Sequence, residues 1–598
     1  MTADEQLTTG DWIDSTATRD SQATQVDEHA VQVKEKAGVE EGVEQLEDDE
    51  RVKEGRGKGF RFWAIFASLL VATFMAALEQ TALSTALPSI SASLDATANE
   101  SWIANAYLLA SAAWMPWAGG LAHIFGRRPV LLAGLAFFAL GSILCGAAVN
   151  MTMMLAGRGI QGAGGGIIFV LVEIVLSDIV PLSERGVYQG CFSCVWTLAS
   201  ATGPIIGGAF ASFDWTWLFW INLPLSALVA AVVVAFMKLK APDGRWTDKL
   251  GKMDWIGNLI FIPSISVLIL GLVSGGTSHP WSSAYVLATI ICGAAGLVAW
   301  FFVEKHYVEH PTVPFAALMN RTSIVGYVTN FLHGVVALSV YYMWPAYFQS
   351  AKAFSTITSA VDFLPVVCVV SPMALVTGLA VNRTQKYKAL NLAGWVFLTI
   401  GCGLLSITTA STSRAGWVLL PMVAALGIGI NYAAPVFPIL APLPPSLAGQ
   451  ALAFQMLVRT AGNVIGIAIG LTTLTNELAK KLPQAFLDMI PSGASGAYSS
   501  IPLIRHLEEP LKTQVRVAFA QSLRVFWIVL IPFGGVGLLI ALCMESIPLN
   551  DTTDESWGVK EKKRDSLDSV EKAEEACAEN SPAPQPAAAE AVTHAPAL

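Results

Sequence analysis

The sequence predicts an all-α polytopic membrane protein: two pseudo-symmetric six-helix bundles with two more helices inserted between them, about fourteen membrane helices in all. Three observations predict this. Apolar runs of about 20 residues or more, the length a helix needs to cross a bilayer, recur from residue 62 to residue 544. The chain is 54% hydrophobic and only 14% charged, and its middle is nearly free of charge. A set of small and cationic residues also recurs at one constant spacing: Gly119, Arg127, Gly203 and Gly207 are matched by Gly378, Lys386, Gly462 and Gly466. A repeat of that kind means two parallel copies, with whatever lies between them as an insertion.

Residues 1–61 and 545–598 are polar and charged and cannot bury enough apolar surface to offset chain entropy, so both read as disordered tails. The net charge of −9 belongs mostly to them and argues for no nucleic-acid partner. The first sixty residues hold no apolar segment, so no cleavable signal peptide is expected. The runs fall at 62–83, 101–122, 129–149, 152–180, 187–211, 216–237, 255–275, 284–303, 323–347, 357–381, 389–410, 415–440, 449–474 and 522–544. Residues 62–237 then form the first bundle, 238–303 a linker with the inserted helices, and 304–544 the second bundle with a long outer loop at 475–521.

Cations choose the side. Alternate short loops carry Arg127, Arg128, Arg185, Lys238, Lys240, Arg245, Lys249, Lys252, Lys305, Arg321, Arg383, Lys386 and Lys388, whereas the opposite short loops hold only Lys352 and Arg414. The bias places the cation-rich loops and both tails in the cytoplasm. Asn99 and Asn150 head Asn-x-Ser/Thr sequons on the outer side and are candidate glycosylation sites.

Ionisable groups inside the runs are scarce, and each costs about 2.5–3.5 kcal/mol at a helix centre, so each is a candidate for function. Glu79 in the first run and Arg158 and Glu173 in the fourth are candidates for proton coupling, because a desolvated carboxylate changes its proton affinity as a cation approaches or leaves. The competing reading of Glu79 and Arg158 is a structural buried pair. Asp178 reads as a loop anchor beside Arg185, and His333 as a hydrogen-bonded packing residue. Gln80, Gln161, Phe331, Tyr341, Asn431, Tyr432, Gln455 and Arg459 are candidate contacts of a central cavity.

Several chemistries are excluded. Gly157-x-Gly159-x-x-Gly162 follows no strand, so it is no dinucleotide site, and no phosphate loop of the Gly-x4-Gly-Lys-Ser/Thr type is present. Cys191 and Cys194 form a lone Cys-x-x-Cys inside an apolar run and read as packing residues. No catalytic constellation stands out, and no enzyme activity, metal or cofactor is expected. Gly162/Gly166, Gly203/Gly207 and Gly462/Gly466/Gly470 are small-residue seams for close helix packing, and Pro204 should bend its helix.

At these residues the chain resembles the major facilitator superfamily, in particular its fourteen-helix drug:proton antiporters and their fungal branch. Leu78 to Pro88 is similar to the helix 1 motif. Gly119, Gly120, His123, Gly126, Arg127 and Arg128 are similar to the loop 2–3 motif. Arg158, Gln161 and Gly162 resemble the helix 4 motif; Gly203, Pro204, Gly207 and Gly208 resemble the antiporter motif of helix 5; and Trp220-Ile-Asn222-Leu-Pro224 resembles the helix 6 signature. The resemblance implies a monomeric major facilitator fold that exports small amphipathic organic compounds across a lipid bilayer in exchange for protons. Arg158 is implied in coupling and the Gly203–Gly208 bend as a hinge. Two positions depart from the family pattern. Glu79 stands where Asp is usual. His123 stands where an acid usually bonds the loop arginine and a helix end of the other half, which implies a weaker, pH-sensitive latch. The expected location is the plasma membrane, with the vacuolar membrane as the alternative. The rival readings are a fourteen-helix uptake transporter for siderophores or amino acids, and a non-transporting membrane sensor.

Overall fold

The computed structural model describes residues 59–94, 101–238, 253–275, 279–308, 315–490, 498 and 500–549. The two tails, apart from their inner ends, and Lys240, Arg245, Lys249, Lys252 and Asn99 lie outside the described residues. The chain divides into two compact units, Met1–Ala64, whose described part is the opening of the first helix, and Ile65–Leu598, which carries the rest.

Fourteen long helices are described: α1 (Phe60–Ser93), α2 (Ser101–Phe125), α3 (Arg127–Gly146), α4 (Met151–Ile179), α5 (Leu182–Phe213), α6 (Trp217–Phe236, interrupted at Ile221), α7 (Trp255–Ser274), α8 (Ala284–Tyr307), α9 (Arg321–Ser350), α10 (Thr356–Thr384), α11 (Tyr387–Leu405), α12 (Arg414–Ala433, extended by Val436–Leu440), α13 (Ala448–Lys481) and α14 (Leu511–Leu542). All but α2 are long and apolar enough by composition to cross a membrane. Among the described residues there is no β-strand beyond one isolated bridge, Gly275 to His279.

Local chemistry sets the helix starts. The side chains of Asn150, Asp254, Ser283, Asn320, Ser355 and Ser413 each accept from a backbone N–H of the first turn, opening α4, α7, α8, α9, α10 and α12. The link from α2 to α3 is the single residue Gly126, at φ 95°, a conformation that favours glycine.

Three boundaries differ by more than a few residues from the apolar runs, the first being the end of α1, which runs to Ser93 rather than to 83. α13 continues to Lys481 and α14 begins at Leu511, so helix covers both flanks of the expected 475–521 loop. The flanks are amphipathic rather than apolar. Glu477 bonds Lys480 and Lys481, each at 2.8 Å, and Val515, Ala518, Phe519 and Ser522 form one buried stripe at helical spacing. α5 runs as one helix through Gly203-Pro204, where a bend is expected.

The halves repeat their packing. In the first, α4 packs on α2 and α3, and α3 on α6; in the second, α12 packs on α10 and α11, and α11 on α14. α9 packs on α13 as α1 meets α5, where Thr81 Oγ1 donates to the Ala199 carbonyl at 3.1 Å. The halves join through α5 on α10 and through α2 on α13. The inserted pair α7–α8 lies on the second seam, with Phe261, Ile265, Ile269 and Trp300 clustered against Ala112 and Ala113 of α2 and Leu457 of α13.

Candidate functional site

The polar chemistry of the first half converges on Arg158, which is almost fully buried on α4. Its Nη1 pairs with Glu79 of α1 and donates to Gln161 Oε1 at 2.6 Å, while its Nε donates to the Ile103 carbonyl of α2 at 2.9 Å. The Tyr107 ring stands 4.7 Å from the guanidinium carbon and the Phe219 ring 5.9 Å. The second carboxylate oxygen of Glu79 accepts from Asn222 Nδ2 of α6 at 2.6 Å. Gln161 Nε2 donates to Ser142 Oγ of α3 at 2.9 Å, and Ser142 Oγ in turn donates to the Phe138 carbonyl at 2.8 Å. One ion pair thus ties α1, α2, α3, α4 and α6 together. Two charges can stay buried here because each is matched and hydrogen-bonded; alone, either would be strongly destabilising.

Glu173 lies further along α4. Its carboxylate accepts from Gln189 Nε2 of α5, a neutral partner. It is therefore a buried carboxylate with no cation bonded to it among the described residues.

A third group sits where α2, α3, α4 and α6 end together. Arg127 donates through Nε to Asp178 Oδ2 at 2.8 Å and through Nη1 to the Ala122 carbonyl at 3.0 Å; both charged residues are buried. Arg128 Nη2 donates to the Val234 carbonyl at 2.8 Å, a cation placed on the orphan carbonyls at the end of α6. Arg185 Nη2 donates to the Ser177 and Val180 carbonyls at the end of α4. His123 is exposed on the last turn of α2. The loop arginine is therefore paired with an acid of its own half, Asp178. At this end the halves meet through glycine instead: a Cβ on Gly119 would stand 2.6 Å from Ala453 Cβ, and Gly186 and Gly378 pack backbone to backbone, while Gly120 has open space.

In the second half, three side chains each bond a carbonyl of a neighbouring helix. Asn330 Nδ2 of α9 donates to the Gln455 carbonyl at 2.9 Å, His333 Nε2 to the Ile428 carbonyl at 3.1 Å, and Arg459 Nη2 of α13 to the Tyr432 carbonyl at 3.0 Å. The Arg459 guanidinium also lies 4.4 Å from the Tyr432 ring centroid.

The remaining expected site residues divide by exposure. Gln161 and Asn431 are fully buried; with its side-chain amide turned over, Asn431 donates to the Asn391 carbonyl at 3.3 Å and accepts from the Trp395 backbone N–H at 3.2 Å. Gln455 is buried too. Gln80, Phe331, Tyr341, Tyr432 and Arg459 are half-buried, with Tyr341 edge-on to Phe363 at 5.7 Å. Gly203 abuts Thr81 of α1, Gly207 is buried, Gly208 faces open space, and the Pro204 side chain lies outside the described residues. Asn150 caps α4, accepting from the Met153 N–H at 2.9 Å.

Residues 69–263 match the Major Facilitator Superfamily. The chain is 35% identical over 518 residues to the efflux pump FUS6 of Gibberella fujikuroi, covering 85% of this chain and 93% of that one. It is 36% identical over 534 residues to the MFS efflux transporter aclA of Aspergillus oryzae, covering 88% and 97%. The chain belongs to the Major Facilitator Superfamily. It is an integral, multi-pass membrane transporter and no enzyme. Similar solved structures in this superfamily include the proton:xylose symporter XylE, at 13% identity and TM-score 0.51 over 82% of this chain and 98% of that one. Another is the human organic anion transporter MFSD10, at 14% and 0.50 over 80% and 100%. At such identities they speak for the fold alone.

Among the neutral residues that hold this transporter's charges in place, Asn222 stands out in the sequence only as part of the helix 6 signature, and Ser142, Tyr107 and Gln189 do not stand out at all. What signal they carry is that of a polar side chain inside an apolar run.

Proposed function

We propose that this chain exports small amphipathic organic compounds in exchange for protons, by alternating access between its two halves. The observation that carries the reading is the buried Glu79–Arg158 pair in a chain whose relatives over most of its length include ones named efflux pump and efflux transporter. The Gly203–Gly208 motif of α5 supports the export direction. Glu173 is the second proton carrier. Among the described residues its hydrogen-bond partner is a neutral amide and no cation lies in ion-pair contact, so gaining or losing a proton breaks no direct ion pair. Glu79 is the less mobile of the two, because releasing it dismantles a five-helix network.

The cation-rich loops and both termini are cytoplasmic, in the plasma membrane. On that orientation the Gly119–Ala453 and Gly186–Gly378 contacts close the cytoplasmic end. The energetics suffice. About 2 pH units supply roughly 2.7 kcal/mol per proton, and about 100 mV adds roughly 2.3 kcal/mol. Their sum sustains a neutral-substrate gradient of several thousandfold at about tenfold per 1.4 kcal/mol.

Proteoliposomes containing this chain alone test the reading. Substrate movement should carry protons the opposite way and stop when the proton gradient is collapsed. Transport indifferent to the gradient, or higher cellular accumulation of substrate in the presence of the protein, would refute it.

A further inference from the structure

The membrane-embedded arginines are not treated alike. Arg158 and Arg127 each pair with a buried carboxylate, and Arg185 is spent on the carbonyls that end α4. Arg459 has neither. Among the described residues no carboxylate lies within 4.0 Å of it, and its polar contacts are with Tyr432, whose carbonyl accepts from Nη2 and whose side chain also meets the guanidinium. Glu173, the carboxylate of the facing α4, is held by Gln189 instead.

The position of Arg459 adds to this. It lies well inside α13, with its own carbonyl against Gly334 of α9. The next residue, Thr460, has its Oγ1 3.5 Å from Met115 Sδ of α2, across the seam between the halves. The guanidinium therefore stands where α9, α12 and α13 meet beside the inter-half seam. It is half-buried, so it remains reachable. The Tyr432 ring covers one face. Tyr341, Phe331 and Phe363, also half-buried, supply apolar rings from α9 and α10. A guanidinium at membrane depth with no carboxylate in ion-pair contact is costly, and such groups face a cavity or a partner; the charge of Glu173 on α4 acts on it beyond 4.0 Å, without a direct bond. Its remaining N–H groups form a planar fork matched to the two oxygens of a carboxylate or sulfonate.

We infer that Arg459 is the anchor for an anionic group on the transported compound, so that the preferred substrates are amphipathic organic acids. The acid head bonds the Arg459 fork while the organic body lies against Tyr432, Tyr341 and Phe331. This deepens the export reading and rests on it for the direction of transport only.

Equilibrium binding to the purified transporter in phosphatidylcholine nanodiscs tests the inference, with 1-pyrenebutyrate and its methyl ester as the paired probes. Wild type should bind the acid roughly tenfold or more tightly than the ester, the ratio expected of one charge-assisted hydrogen-bonded contact. R459Q should bind acid and ester alike, with ester binding as in wild type, and R459K should recover part of the preference. Wild type that binds the two probes equally or binds neither, or an R459Q protein that keeps the preference, overturns the inference. The wild-type comparison stands by itself if R459Q fails to fold. Loss of proton-driven export with the acid preference intact would sink the export reading and leave this one standing.

Discussion

Gly186 of α5 and Gly378 of α10 meet backbone to backbone. A Cβ on Gly186 would stand 2.7 Å from Gly378 Cα, and one on Gly378 would fall inside the Gly186 peptide. Small residues at such a seam let two helices approach until their backbones touch. If the halves rock about this contact, a side chain there holds them apart. Gly378→Val is expected to abolish substrate transport and raise the labelling of cysteines introduced nearby on the cytoplasmic side. Gly120→Ala, which points into open space, should transport normally. Full activity in Gly378→Val would remove the seam from the mechanism.

Arg158 and Glu79 should behave as one unit. Removing one member of a buried ion pair strands the other, at about 3–5 kcal/mol. Arg158→Gln alone should therefore lower the thermal unfolding midpoint in detergent more than the double change Glu79→Gln with Arg158→Gln. Proton-driven export should be lost in both. A double variant less stable than Arg158→Gln would mean that the two charges are not partners in stability.

Glu173→Gln keeps the hydrogen bond to Gln189 within reach but removes the titratable proton. The expected result separates two assays: exchange of labelled substrate across vesicles without a gradient continues, while proton-driven accumulation stops. Wild-type accumulation in this variant would assign the proton to another group.

The latch at the α2–α3 turn has its carboxylate on Asp178 rather than on residue 123. Histidine changes charge between about pH 5 and 8, whereas a carboxylate does not. Transport by His123→Asp should therefore depend less on cytosolic pH over that range than wild type does. Superimposable pH profiles would remove His123 from the switch. Asp178→Asn should impair transport at every pH, because it strips Arg127 of its counter-charge.

Much of this protein is written in the order of its residues. Apolar length and charge scarcity determine the membrane helices, since a bilayer accepts little else. Recurring glycines determine that there are two copies, and loop cations indicate their orientation. The few buried charges mark Glu79, Arg158 and Glu173 before any coordinates. Tertiary structure alone decided who partners whom. Glu79 and Arg158 are 79 positions apart and Arg127 and Asp178 are 51 apart, and nothing local joins either pair. Folding also separated residues that the sequence ranked together: Gln161 and Asn431 disappear into the core, while Arg459 is left half-exposed with no acid in ion-pair contact among the described residues. The reason is physical. Hydrophobic length is a property of a segment, but the neutralisation of a buried charge depends on which helices are brought beside it.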